Sequence, residues 1–324
     1  GTDPMNYNTV VGLDVHKKTI VAALLPSQSE RVTEIVTIEN HPKIIEKLVA
    51  RLTARGLGEF VYEAGPCGYE VHRQITGMGH KCVVIAPSLT PVRPGDRVKT
   101  DRRDAEKLAR FHRAGELTEV HVPTRESEAD RDLPRAREDA LEDRLRARHR
   151  LSKFLLRQGR LHRETKSWGT THHAWLKAQR FEWATLQQTF EANMRAVAEA
   201  EARLEILDQQ VQDLAQTEPY RVPVQHLRCL KGIDTLSALT LLVETQDFAR
   251  FKNARAFMSF TGLVGSERSS GEKDHGVSNG QRQLRNGTLA QRREQGFMLG
   301  NHGERWSLVF MANRDLPIPS FLKK

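Results

Sequence analysis

The chain has 324 residues and a mass of 36.8 kDa, with 50 Lys and Arg against 41 Asp and Glu, a formal charge of +9 and a pI of 9.6. Mean hydropathy is −0.56, no run of about 18 apolar residues exists to span a bilayer, and three scattered cysteines (Cys67, Cys82, Cys229) exclude a disulfide framework or a paired-cysteine zinc site. Charged residues at 28% are mixed in sign, against a long acidic or basic tail, and the basic excess points to a polyanionic partner, usually nucleic acid.

Gly1–Pro4 ahead of Met5 reads as the remnant of an expression tag. No signal-peptide shape follows, so a cytoplasmic protein with reduced thiols is expected. The length suggests two or three domains.

The first zone, residues 5–123, alternates β-branched apolar runs with helical stripes. Thr9–Asp14 and Thr19–Leu25 read as strands joined by the polar turn His16–Lys18. Arg31–Glu39 alternates with period two and reads as a third strand. Pro42 opens a helix through Ile45, Leu48 and Leu52 that ends before Gly56. Glu59–Glu63 is a short strand, Tyr69–Met78 a helix, Lys81–Ile85 a strand stopped by Pro87, and Thr100–His112 a helix with a polar start. The resulting order is β-β-β-α-β-α-β-α.

The second zone, residues 124–217, carries Leu141, Leu145, Leu151, Phe154 and Leu155 at helical spacing among dense charge. Pro134 either interrupts this helix or begins it. A break at Trp168–His173 precedes Ala192–Leu214, a long helix that reads equally as a dimerising coiled coil or as one arm of an ordinary helical hairpin. The third zone, residues 218–324, holds two helical halves around a glycine in Leu227–Glu244 and a helical patch at Phe248–Gly262. From about Asp274 apolar periodicity is lost, and the tail reads as divergent, as a shifted reading frame would make it.

Four carboxylates stand out. Asp14 ends the first strand and Glu63 the fourth, where side chains reach the cleft above a sheet. Asp101 and Asp104 lie three apart in a first helical turn, on one side. Each also has an ordinary explanation, since helix starts favour acids and an acid at a strand end can simply open a turn. Their order along β-β-β-α-β-α-β-α is that of an RNase H-like sheet, and four such oxygen donors suit two Mg²⁺ or Mn²⁺ ions. A metal pair of this kind serves phosphodiester chemistry. His16, Lys17 and Lys18 follow Asp14, while Arg93, Arg97, Lys99, Arg102 and Arg103 surround the helical acids. Such cations can neutralise backbone phosphates, or simply line a solvated basic loop.

Three stretches, VVGLDVHKKTIVAALL, VYEAGPCGYE and VKTDRRDAEKLAR, resemble the RuvC-like DEDD domain of bacterial insertion-sequence transposases, the bridge-RNA-guided recombinases related to the Piv DNA invertase. AREDALEDRLRARHRLSKFLLRQGR resembles that family's helical middle. LRCLKGIDTLSALTLLVETQDFARFKNARAFMSFTGLVGSERSSGEK resembles its C-terminal transposase domain. The resemblance implies a RuvC-like domain at 5–123, a helical coiled-coil region at 124–217 and a mainly helical transposase domain at 218–324. It maps the metal-binding acids onto Asp14, Glu63, Asp101 and Asp104. It implies a serine nucleophile at Ser270, with Ser269 the adjacent alternative, and Arg268 and Lys273 are local candidates for stabilising charge. Leu227–Leu242 resembles a helix-hairpin-helix, whose backbone near Gly232 would meet a phosphate, though plain helix packing explains the same pattern.

By the same resemblance the partners are DNA, a structured guide RNA and further copies of the chain as a dimer or tetramer, with no membrane. A composite site is implied between the RuvC-like domain of one subunit and the transposase domain of another. The alternatives are a metal-dependent junction nuclease using the four acids alone, and an inactive nucleic-acid-binding remnant.

Overall fold

The computed structural model describes residues 9–54, 56, 58–91, 100–162 and 167–261, with the backbone of two further strands, Ser266–Ser270 and Lys273–Val277. The chain divides into two compact units, Gly1–Val122 and Pro123–Lys324.

The first unit is a mixed sheet with helices. In chain order it holds β1 (Thr9–Val15), β2 (Thr19–Pro26), β3 (Glu34–Glu39), α1 (Pro42–Thr53), β4 (Gly58–Glu63), α2 (Glu70–Gly77), β5 (Lys81–Ile85) and α3 (Asp101–Arg113). The strands lie in the order β3-β2-β1-β4-β5. β1–β2 and β2–β3 pair antiparallel, whereas β1–β4 and β4–β5 pair parallel. Apart from the edge strand β3, the sheet is buried on both faces, and period-two alternation divides its side chains between them. Val11, Leu13, Phe60 and Tyr62 pack with Ile45, Leu48, Val49, Val71 and Ile75 of α1 and α2. Val10, Val61, Val83 and Ile85 pack with Leu108 and Ala109 of α3. The third strand is shorter than its sequence pattern, because Arg31–Thr33 leave the ladder and only Thr33 N–H still donates to the Leu24 carbonyl.

Glu59 fastens this sheet to α3. Burial alone would raise its carboxyl, but hydrogen bonds from His112 (2.9 Å) and Lys81 outweigh it and hold the pKa at about 2. A carboxyl lowered in the folded state stabilises the fold above its unfolded pKa, and that contribution disappears as pH falls through the folded value. Stability of the first unit should therefore drop between about pH 4.5 and pH 2, by up to about 3 kcal/mol from this group. Urea unfolding of wild type and Glu59→Gln across that range checks it: the variant should show a flatter acid limb.

The second unit is mainly helical: α4 (Arg125–Arg157), α5 (Thr170–Ala178), α6 (Ala184–Leu214), α7 (Arg221–Arg228), α8 (Thr235–Thr245) and α9 (Ala254–Phe260). The strands β6 (Ser266–Ser270) and β7 (Lys273–Val277) then form an antiparallel hairpin where no strand is expected from the sequence. α4 and α6 run antiparallel, as the pairs Arg137–Asp208, Asp143–Arg203 and Arg148–Glu201 require. The buried stripe of α6 repeats every seven residues: Phe190, Val197, Leu204 and Val211. Within the same chain, Phe190 and Val197 pack with Ala147, Leu151 and Phe154 of α4. α4 therefore covers that part of the α6 seam, in the manner of a helical hairpin.

Pro134 neither breaks nor begins α4; it is buried inside it. An internal proline costs a helix about 3 kcal/mol. Here its neighbours anchor the turn: Asp130 accepts from the Tyr220 hydroxyl (2.7 Å), Leu133 packs on the α7–α8 core, and Arg135 grips Glu244 through Nε (2.7 Å) and Nη2 (2.8 Å). That core joins Val211 and Ala215 to Val224, Leu227, Leu239 and Phe257. The helical middle and the following segment thus share buried side chains.

Candidate metal centre

Alternation along β1 sends Val10, Gly12 and Asp14 to the α3 side of the sheet. At Gly12 the helix comes closer than any side chain allows. A Cβ there would lie 2.0 Å from the Ala105 carbonyl oxygen and 2.7 Å from the Ala109 nitrogen. Ala105 and Ala109, one turn apart and fully buried, give α3 the matching small face. The close approach brings the start of α3 beside the end of β1. That start is fixed by Thr100, whose hydroxyl accepts from Arg103 N–H and whose carbonyl accepts from Asp104 N–H (3.0 Å).

Asp14, His16 and Asp101 consequently converge, each offering a ligand atom within 4.8 Å of the others. His16 Nε2 lies 3.1 Å from Asp14 Oδ2 and 3.7 Å from Asp101 Oδ1. The turn carrying His16 is held by Asn40, whose side-chain amide donates to the His16 carbonyl (2.8 Å) and whose backbone N–H donates to Lys18 (2.9 Å). Burial raises the Asp14 carboxyl above its ordinary range; His16 opposes the rise, while the charges of Asp101 and Asp104 add to it. A half-buried carboxylate facing two more acids is relieved by a cation, and two oxygens with an imidazole nitrogen form a donor set that fits one.

Of the four acids picked out by sequence, Asp14 and Asp101 meet within this group. Asp104 is near enough to act on Asp14 through its charge. Glu63 lies outside the group. It ends β4 one register step beyond the Leu13–Tyr62 pair, and its Oε1 accepts from the Thr90 hydroxyl (3.2 Å). His16, read from sequence as a phosphate-neutralising cation, instead sits between two carboxylates. Gly12, Ala105, Ala109 and Asn40 were missed. A lone glycine inside a strand pattern, with alanines four apart on a later helix, was the available signal.

Lys17, Lys18, Arg102 and Arg103 are exposed around the group. Arg93, Arg97 and Lys99 lie outside the described residues. In the second unit Gly232 has φ +91° between α7 and α8, a conformation that favours glycine, and Asp234 caps the next helix at Ser237 N–H (2.7 Å). Leu236, Leu239, Leu242 and Val243 are buried, as either reading of that segment requires. Ser270 ends β6 opposite Lys273, and Arg268 pairs with His275 across the hairpin.

Comparison with known proteins matches two stretches of the chain. Residues 11–158 match the model of the DEDD transposase family of IS110, described as a transposase, and residues 224–289 match the model described as the transposase IS116/IS110/IS902 family. The second match runs past Asp274, so family likeness persists beyond the point at which the sequence reads as divergent. The y4qE protein of Sinorhizobium fredii (strain NBRC 101917 / NGR234), named as a transposase, is 38% identical over 267 residues, 81% of this chain. The chain spans 64% of that relative's length. The transposase for insertion sequence element IS1533 of Leptospira borgpetersenii is 37% identical over 260 residues, 79% of this chain and 75% of the relative. With both stretches matched in order and this relative covered over most of its length, the chain belongs to the IS116/IS110/IS902 family of transposases.

Proposed function

We propose that the chain is a DNA transposase of an insertion sequence, cutting and rejoining DNA with a divalent-metal site on the first unit and a serine nucleophile, Ser270. One observation carries the reading: Asp14 and Asp101, from a strand end and a helix start, converge with Asp104 close by. The order β3-β2-β1-β4-β5, with its acids at the ends of β1 and β4, supports an RNase H-like, RuvC-like domain. Asp14, Asp101 and Asp104, with Glu63, would hold Mg²⁺ or Mn²⁺, and His16 offers a further donor or orients Asp14. A bound metal supplies charge stabilisation to the oxygens of a phosphodiester.

Lys17, Lys18, Arg102 and Arg103 would draw the DNA backbone to this edge of the sheet. Ser270 Oγ would bond to phosphorus as a sugar oxygen departs, its proton ending on that oxygen, with Arg268 and Lys273 countering the charge that develops. The turn at Gly232 would meet another backbone phosphate. The family resemblance adds a structured guide RNA and a homo-oligomer, held in part by the long helix at Ala192–Leu214.

The serine step has a direct test. Incubation with element-end DNA and Mg²⁺, followed by denaturing electrophoresis, should trap a covalent protein–DNA adduct with wild type and none with Ser270→Ala. An equal adduct in Ser270→Ala moves the nucleophile elsewhere. DNA cleavage without any adduct, undiminished in that variant, would mean hydrolysis at the acids alone.

A further inference from the structure

The arginines of α4 that cross to other helices meet carboxylates: Arg135 pairs with Glu244, Arg137 with Asp208 and Arg148 with Glu201. Arg250, in the short turn between α8 and α9, forms no such ion pair among the described residues. Its guanidinium carbon lies 4.5 Å from the ring centroid of Phe251 and 4.5 Å from that of Phe260. The two rings are 5.2 Å apart at 49°, so the cation rests in the angle they make. Its Nε is buried and has no hydrogen-bond partner among the described residues. The nearby carboxylate, Asp247, uses its Oδ1 to cap Ala249 N–H (2.8 Å).

This arrangement has a chemical meaning. Two phenyl faces fix the plane and direction of the guanidinium and remove much of its freedom before any ligand arrives. Burial strips part of its hydration, which holds the Arg250 pKa below the usual arginine range despite Asp247. A planar, pre-oriented, partly dehydrated cation, near Asp247 but in no ion pair among the described residues, is suited to receive an anion, and the arginine fork matches two phosphate oxygens. The segment from Arg250 to Arg255 adds exposed Lys252 and Arg255 and contains no acid. Single metabolites are seldom drawn by open, flexible cations of this kind; a polyanionic backbone is.

We propose that Arg250 is a phosphodiester-binding residue, presented by Phe251 and Phe260 to a nucleic-acid backbone. It reads no bases, and it contributes the same increment to every sequence. Lys252 and Arg255 extend the contact along the strand. The inference rests on the nucleic-acid reading above but separates from it. Strand transfer lost in Asp14→Asn tests the acids, whereas nucleic-acid affinity in Arg250 variants tests this contact and needs no chemistry.

The experiment uses the full chain with two probes, a random-sequence DNA duplex and a random-sequence RNA hairpin, titrated over a range of salt. Arg250→Met should weaken binding to at least one probe by roughly tenfold near 0.15 M salt and reduce the magnitude of the log–log salt slope by about one. Its melting temperature should stay within a few degrees of wild type, since a methionine still packs on both rings. Arg250→Lys should keep the slope and lose part of the affinity, because the charge remains and the fork does not. Phe260→Leu should lose affinity with the slope kept. Which probe responds tells DNA from RNA. Wild-type affinity and slope in Arg250→Met for both probes overturns the proposal. So does weakened binding in Arg250→Met with an unchanged slope, which would mark a packing role alone.

Discussion

Replacing Gly12 by alanine should lower the melting temperature of the first unit by roughly 10 °C and remove metal binding with it. The added methyl would sit 2.0 Å from a backbone carbonyl oxygen of α3 and 2.7 Å from a backbone nitrogen. Neither atom can swing aside as a flexible side chain does, so α3 itself must move. Overpacking against yielding side chains costs about 1–3 kcal/mol, and against fixed backbone the upper end or more. Moving α3 also withdraws Asp101 and Asp104 from Asp14, so stability and site should fail together. Thermal unfolding by circular dichroism checks the first effect. A variant melting within two or three degrees of wild type would show that the sheet and α3 are not held at this distance.

The second large effect is on chemistry. Asp14→Asn should reduce strand transfer by at least about 100-fold while leaving the melting temperature unchanged or slightly raised. The carboxylate sits half buried against two like charges and is already pushed above its ordinary range, so the amide removes a source of repulsion. Activity and stability therefore move in opposite directions, as expected of a residue kept for function rather than for packing. A recombination assay in Mg²⁺ run beside thermal unfolding measures both. Near-wild-type transfer in Asp14→Asn would remove the acids from the mechanism.

Much of this fold was legible because the pattern on each strand was unambiguous. TVVGLD and TIVAALL are buried on both faces, and the lengths of β1, β2, β4 and β5 follow from the turns and breaks that bound them. The four acids could be placed at strand ends and a helix start for the same reason. Three features were not legible. Pro134 stays inside α4 because Asp130 and Arg135 bind distant residues 220 and 244 and Leu133 packs on the α7–α8 core, contacts that no local rule contains. His16 joined Asp14 because a turn clamped by Asn40, 24 residues away, aims it there. The α6 heptad suited a partner helix of either origin, and only the folded chain assigns part of it to α4. The basic composition pointed to nucleic acid, but the closeness of Asp14 and Asp101 depends on a glycine that composition does not reveal.

The central claim is that these acids form a divalent-cation site on the first unit, and Mn²⁺ binding tests it most directly. Titration followed by electron paramagnetic resonance should show saturable binding by wild type. Asp14→Asn and Asp101→Asn should each weaken it by at least about tenfold, and Glu59→Gln, distant from the group, should leave it intact. Equal Mn²⁺ affinity in wild type and Asp14→Asn, with both proteins folded, would contradict the account.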